Sequence, residues 1–265
     1  MIINKETIKC GMVSFLDKLF ALPEVEAIQV KGIKINSAFD SESIEKAINA
    51  SYHDVLSDID FSIEVSLSPE DFSSKEPVYR KHFSRLGIDK DVFGVLFQER
   101  DSEGTEVHRL CLKNGFRSDL IFHSRCEKEM APLPESGEEA QSQRDSFWFL
   151  AIQTLGKLLR RDYLIADHIS HMLLMEGLVL QMEERDRSHE TNFHRYGYAE
   201  NIEYQNVSLE GYGRFLTGDK GFCHTAENLI RAVVSYDTLC VRENPQYTPK
   251  QDVFFEIWEA YLEEL

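Results

Sequence analysis

Apolar residues recur at Ile8, Met12, Phe15, Leu16, Leu19 and Phe20, three or four positions apart, the period of a helix with one buried face. The pattern predicts a helix over 3–20, stopped by Pro23. Val25, Ala27, Val30, Ile33 and Ile35 then set a strand-like pattern over 25–35, with Gly32 near its end. A short helix is expected over 41–50 and a strand over 54–67. A loop rich in Ser, Glu and Asp follows from Pro69 to Pro77, with a short helix near 77–86. Three further strands are expected over 92–97, 106–112 and 116–122. Lys113-Asn114-Gly115 joins the last two, because Asn-Gly favours a tight hairpin.

The pattern changes after residue 130. Ala131-Pro132-Leu133-Pro134-Glu135-Ser136-Gly137-Glu138-Glu139 is polar and broken by Pro and Gly, the composition of a domain boundary. Beyond it the period is helical throughout, over 142–160, 162–185, 222–241 and 249–264. The expected organisation is therefore two domains, 1–135 mixing strands and helices and 136–265 all helical. No internal repeat is present.

Composition narrows the function classes. With 42% hydrophobic residues and 17 phenylalanines the chain can fill a core, so nothing suggests wholesale disorder. A formal charge of −17 argues against a sequence-independent nucleic-acid binder, which needs a basic surface. The same charge favours cationic ligands through its long-range field. The cysteines Cys10, Cys111, Cys126, Cys223 and Cys240 are scattered and lack C-x-x-C spacing, so reduced thiols in a cytoplasmic protein are expected. No basic region followed by an apolar core opens the chain. The apolar stretch 163–182 carries Asp167, His168, His171 and Glu176, which rules it out as a membrane span on this reading.

The chemistry concentrates in Leu56-Ser57-Asp58-Ile59-Asp60-Phe61-Ser62-Ile63-Glu64-Val65. Residues two apart on a strand point to one face, so Asp58 and Asp60 share theirs. Two unpaired carboxylates there repel each other and lose hydration, which a divalent cation relieves. Magnesium takes hard oxygen ligands, commonly one or two carboxylates plus substrate phosphates. Asp119, embedded in Phe116-Arg117-Ser118-Asp119-Leu120-Ile121-Phe122, supplies a third acid if its strand lies beside the first. Such a trio could hold metal and accept the proton of an attacking hydroxyl.

These motifs resemble the nucleotidyltransferase superfamily, and within it the aminoglycoside and lincosamide nucleotidyltransferases. Ser57-Asp58-Ile59-Asp60-Phe61 matches the family's Asp-x-Asp strand preceded by Ser. Gly115-Phe116-Arg117-Ser118-Asp119-Leu120 matches its Gly-x-Arg-x-Asp-Leu strand. The resemblance implies an α+β fold: a nucleotidyltransferase-like mixed sheet with flanking helices, followed by a helical-bundle domain shaping the acceptor pocket. It implies Mg2+ held by Asp58, Asp60 and Asp119, ATP or another NTP as co-substrate, and a small-molecule hydroxyl acceptor, cationic in the aminoglycosides. Gly32, Ser57 and Lys157 fall where the family contacts the nucleotide. The family's Gly-Ser is replaced by Gly32-Ile33, with Ser37 as the alternative hydroxyl and a longer insert at 38–53. A catalytically weak nucleotide-binding or regulatory relative, and a toxin–antitoxin-type nucleotidyltransferase acting on a protein, are the alternatives.

Other candidates are weaker. His168 and His171 lie three apart on a helix, but no H-E-x-x-H motif accompanies them, so surface or interface histidines are expected. His194-Arg195-Tyr196-Gly197 is expected as an ordered docking loop, and Tyr196, Tyr198 and Tyr204 as candidate cleft residues. No P-loop, G-x-G-x-x-G, G-x-S-x-G or kinase signature is present.

Overall fold

The computed structural model describes residues 5–36, 40–66, 83–98, 105–124, 139–191 and 201–265. Its elements are α1 (Lys5–Phe20), β1 (Val25–Val30), β2 (Ile33–Ile35), α2 (Ser41–Ser51), β3 (Ile59–Val65), β4 (Val92–Gln98), β5 (Thr105–Leu112), β6 (Arg117–Ser124), α3 (Glu139–Leu159), α4 (Tyr163–Ser188), the short α5 (Glu203–Asn206), α6 (Lys220–Glu243) and α7 (Gln251–Glu264). The architecture is α+β, a mixed sheet with flanking helices followed by a helical region. One compact unit comprises Met1–Phe149 with Glu256–Leu265, the other Leu150–Phe255, so the division falls within α3 and within α7.

The six strands of the first unit run in the order β2-β1-β3-β6-β5-β4. Every neighbouring pair is antiparallel except β3 and β6, which are parallel. The single strand expected over 25–35 is instead a hairpin. Lys31 and Gly32 both take positive φ, 48° and 76°, the conformation a two-residue hairpin turn requires. Val30 therefore pairs with Ile33 and β2 folds back on β1. The strand expected over 54–67 is shorter, because 53–56 form a turn that Ser57 closes.

Alternation decides which face of this sheet is core. Along β3, Ile59, Phe61, Ile63 and Val65 are buried while Asp60, Ser62 and Glu64 are half-buried. The helical stripe of α1 packs on the buried face: Phe15 stacks 5.7 Å from Phe61 and 6.2 Å from Phe116, ring centre to ring centre. Ile8, Met12, Leu16 and Leu19 complete the stripe, each buried and worth about 1.5–3 kcal/mol by removal from water. Asp40 caps α2, accepting from the Ser43 amide at 3.2 Å. The middle of α3 crosses β4 so closely that a Cβ on Gly94 would lie 2.3 Å from the Phe149 nitrogen, and Phe93 meets Trp148 edge-on at 5.3 Å. Tyr261 of α7 donates to the Gly115 carbonyl at 3.0 Å, anchoring the β5–β6 turn.

In the second unit α4 packs along α6. A Cβ on Gly177 of α4 would meet the Ser235 hydroxyl of α6 at 3.8 Å. Leu229, Ile230, Val233 and Tyr236 line the buried side of α6. Asp237, itself buried, accepts from the Tyr247 hydroxyl at 2.8 Å and from the backbone amides of Lys250 and Gln251 at 3.0 and 3.3 Å, ordering the entry to α7. By length and composition α4 could cross a membrane, the only described helix of which this holds.

Candidate active site

The parallel pairing of β3 with β6 does what the sequence could not guarantee. It sets Asp60 directly beside Asp119. Asp58, two residues before Asp60, joins them, and one carboxylate oxygen from each of the three lies within 4.8 Å of the other two. All three are half-buried. They stand on the face opposite Phe61 and Leu120, whose side chains are in the core.

Local bonds hold these acids in place. The Ser57 hydroxyl accepts the amides of His53 and Asp54, each at 3.1 Å, and donates to Asp54 Oδ1 at 3.2 Å. Arg117 donates to the Leu56 carbonyl at 3.1 Å, and Ser118 donates to the Ile59 carbonyl at 2.8 Å. The segment carrying Asp58 is thus tied to the strand carrying Asp119. Arg117 and Asp119 share a face of β6, while Ser118 points into the core, which gives the Gly-x-Arg-x-Asp spacing a mechanical meaning.

Each carboxylate also has a cation. Lys31 Nζ lies 2.6 Å from Asp60 Oδ2, Arg109 Nε lies 3.3 Å from Asp119 Oδ2, and Arg117 lies 3.7 Å from Asp58 Oδ2. Arg109 is the register partner of Asp119 across β5 and β6. Lys31 is one step beyond the Val30–Phe61 pair, which puts it opposite Asp60. A single row across the sheet therefore runs Lys31, Asp60, Asp119, Arg109, with two anions between two cations.

Electrostatics distinguish the three acids. Burial pushes Asp119 up to about 6; Arg109 opposes this, and Asp58 and Asp60 reinforce it. Lys31 is held above its ordinary value, mainly by its hydrogen bond to Asp60 and the charge behind it. The donor set fits a hard divalent cation: three carboxylates, no nitrogen or sulfur ligand, and half-exposed oxygens that leave room for phosphate or water.

The remaining expected contacts divide. Gly32 sits in the β1–β2 turn with open space where a Cβ would be, one residue from Lys31. The Ser57 hydroxyl is spent on its own turn. Ser37 lies outside the described residues, as do 194–198. Lys157 belongs to the second unit, where its ammonium lies 3.3 Å from Asp162 just past the end of α3. Its carbonyl accepts the Asp162 amide at 2.9 Å, and Arg161 takes φ 61°, so this stretch closes the helix. His168 is exposed, and His171 meets His224 rather than His168.

The cations Lys31 and Arg109 were not singled out from sequence. For Arg109 a signal exists. Counting outward from the 113–115 turn pairs it with Asp119. For Lys31 the signal is its place before Gly32 in a dipeptide able to make a tight turn.

No family model matches the chain, and no curated protein matches it in sequence. Among solved structures, the crystal structure of an aminoglycoside 6-adenyltransferase from Bacillus subtilis is similar at 11% identity and a TM-score of 0.29, over 96% of this chain and 98% of that one.

Proposed function

We propose that this chain is a Mg2+-dependent nucleotidyltransferase that moves a nucleoside monophosphate, AMP from ATP, to a hydroxyl of a small molecule. One observation carries the reading: Asp60 and Asp119 are side by side in the parallel register of β3 and β6, with Asp58 in reach of both. Asp58, Asp60 and Asp119 would hold magnesium, which would supply neutralising charge to the triphosphate.

The protein's own groups have separable tasks. Asp119, whose burial raises its proton affinity, accepts the proton of the acceptor hydroxyl. The freed oxygen attacks the α-phosphorus, a P–O bond forms, and the bond to pyrophosphate breaks. Lys31 leaves Asp60 for the phosphate oxygens, a cation in the stretch where the resembled family has a hydroxyl. Arg117 and Ser118 keep Asp58 and Asp60 at fixed distance from Asp119, so little reorganisation is needed during reaction. Gly32 leaves space for close approach of the triphosphate to the β1–β2 turn. Lys157 is a further candidate for phosphate charge. The resemblance of the motifs assigns the acceptor to the aminoglycoside or lincosamide class, and the charge of −17 favours a cationic acceptor.

A second reading has its own observation. The Lys31 ammonium sits on Asp60, where a metal would need that oxygen, and this favours a nucleotide-binding relative with weak turnover. Pyrophosphate release from ATP and Mg2+, measured across a panel of hydroxylated acceptors including aminoglycosides and lincosamides, separates the two. Turnover with one acceptor, lost in Asp60→Asn, supports the enzyme. Tight ATP binding with no turnover on any acceptor supports the regulatory relative. Label from ATP appearing in a protein band of a cell lysate would replace the small-molecule acceptor with a protein one.

A further inference from the structure

We infer that the helical unit carries a second, chemically different metal site, a zinc-type centre formed by Asp167, His171 and His224 and bridging α4 to α6. Asp167 and His171 are one turn apart on α4, so their side chains leave the same face. His224 comes from the first turns of α6. His224 Nε2 lies 3.7 Å from Asp167 Oδ1, His171 Nδ1 lies 3.6 Å from Asp167 Oδ2, and the two imidazoles are 6.3 Å apart, centre to centre. One ligand atom from each of the three lies within 4.8 Å of the other two.

Hydrogen bonds orient two of these three groups, His171 and Asp167. His171 Nδ1 lies 2.9 Å from the Asp167 backbone carbonyl, which can only accept, so the atom this ring offers an ion is Nε2 and the 3.6 Å approach of Nδ1 to Asp167 Oδ2 marks the ring's proximity rather than a ligand-to-ligand distance. Asn228 Nδ2 lies 3.5 Å from His224 Nε2, a contact that an ion bound at Nε2 would displace. The Thr225 hydroxyl donates to Asp167 Oδ1 at 3.2 Å and fixes the carboxylate from the opposite helix. Ala166, Ile169 and Ser170 on α4 and Thr225, Ala226 and Leu229 on α6, next to the ligands in sequence, are buried.

Chemistry selects the ion. Two imidazoles and one carboxylate suit a borderline cation such as Zn2+, whereas the all-carboxylate cluster of the first unit suits Mg2+. Tetrahedral bonds of about 2.1 Å need ligand atoms about 3.4 Å apart, which exposed imidazoles reach by small side-chain rotations. Three protein ligands leave a fourth position open to water. This centre stands independently of the nucleotidyl-transfer reading, since it uses none of those residues.

The test is calorimetric titration of Zn2+ into the full chain, with cobalt(II) absorption as a second readout. Wild type is expected to take up Zn2+ and to give the intense visible bands of tetrahedral cobalt. His171→Ala and His224→Ala, both at exposed positions, are expected to weaken binding at least about tenfold, the lower bound even for a residue that only supports a ligand. His168→Ala is expected to leave both signals intact. Circular dichroism of the metal-free variants checks that each folds. Unchanged Zn2+ binding in both His171→Ala and His224→Ala would overturn the assignment. So would equal loss in His168→Ala, or loss in Asp60→Asn alone, which would place the ion on the carboxylate cluster.

Discussion

Lys31 holds Asp60 through an ammonium–carboxylate contact of 2.6 Å, and it does so from a turn residue with φ of 48°. A non-glycine residue in that conformation is uncommon. Here the turn forces it, since β1 must reverse into β2 within two residues. The consequence is a cation delivered from the end of β1 to the centre of the acidic face. Together with Arg109 it flanks the Asp60–Asp119 pair, so the site's negative charge is compensated before any ligand arrives.

Removing that cation should split two affinities. In Lys31→Met, Asp60 loses its competitor, so Mn2+ binding followed by electron paramagnetic resonance is expected to tighten. ATP affinity is expected to fall by about tenfold, the size of one lost charge-assisted hydrogen bond. Thermal stability should barely move, because an exposed pair contributes about 0–1 kcal/mol. Weaker Mn2+ binding in this variant would mean that Lys31 supports the metal site rather than guarding it.

Asp119 gives a pH signature of definite sign. Its folded value of about 6 lies above the ordinary 3.8, so the native state binds the proton more tightly than the unfolded chain. Stability from this group is therefore fully present below the ordinary carboxylate range and is lost as pH rises through about 6. Asp119→Asn should flatten metal-free stability between those values and stabilise the protein at pH 7 by about 1–2 kcal/mol after allowance for solvent screening. Urea melts at pH 4, 5, 6 and 7 without divalent metal check this. A steeper dependence in Asp119→Asn would contradict it.

The elements legible in the sequence are those with a clean period. The stripe Ile8, Met12, Phe15, Leu16, Leu19 gave α1 because nothing but a helix aligns those residues. The alternation of β3 likewise placed Asp60 on the face opposite Phe61. The β1–β2 reversal was missed because Val30 and Ile33 are both apolar, and the pattern continues across the turn as if the strand did. What the period cannot carry is pairing. That β3 would lie parallel to β6, with Asp60 against Asp119, is a long-range contact, written in the motifs only as a likeness. The cluster of Asp167, His171 and His224 is harder still, since Asp167 and His171 are local to each other but His224 arrives from a different helix.

Gly94 marks where packing tolerates no side chain. A methyl there would press on the Phe149 nitrogen at 2.3 Å and on the Trp148 carbonyl carbon at 2.7 Å, both backbone atoms that cannot rotate away. Gly94→Ala should cost about 1–3 kcal/mol by forcing α3 off β4. A lowered urea midpoint with unchanged slope is the expected result. Unchanged stability would show that α3 can be displaced from β4 without loss.

Asp60 and Asp119 are adjacent but should fail differently when neutralised. Asp60→Asn removes a charge from the oxygen set that would hold magnesium, so both Mg·ATP affinity and turnover are expected to fall, with turnover down by about 10²-fold or more. Asp119→Asn additionally removes the proposed proton acceptor, so kcat should drop by about 10²–10⁴-fold, with the larger part of its loss in rate rather than in ATP affinity. The register makes the comparison fair, since the two side chains occupy equivalent positions on paired strands and Asn is nearly isosteric in both. Circular dichroism and ATP titration alongside pyrophosphate release separate folding, binding and chemistry. If both variants lost ATP affinity alone and turned over normally at saturation, Asp119 would be a ligand and nothing more. The proton would then have to leave the acceptor hydroxyl by another route.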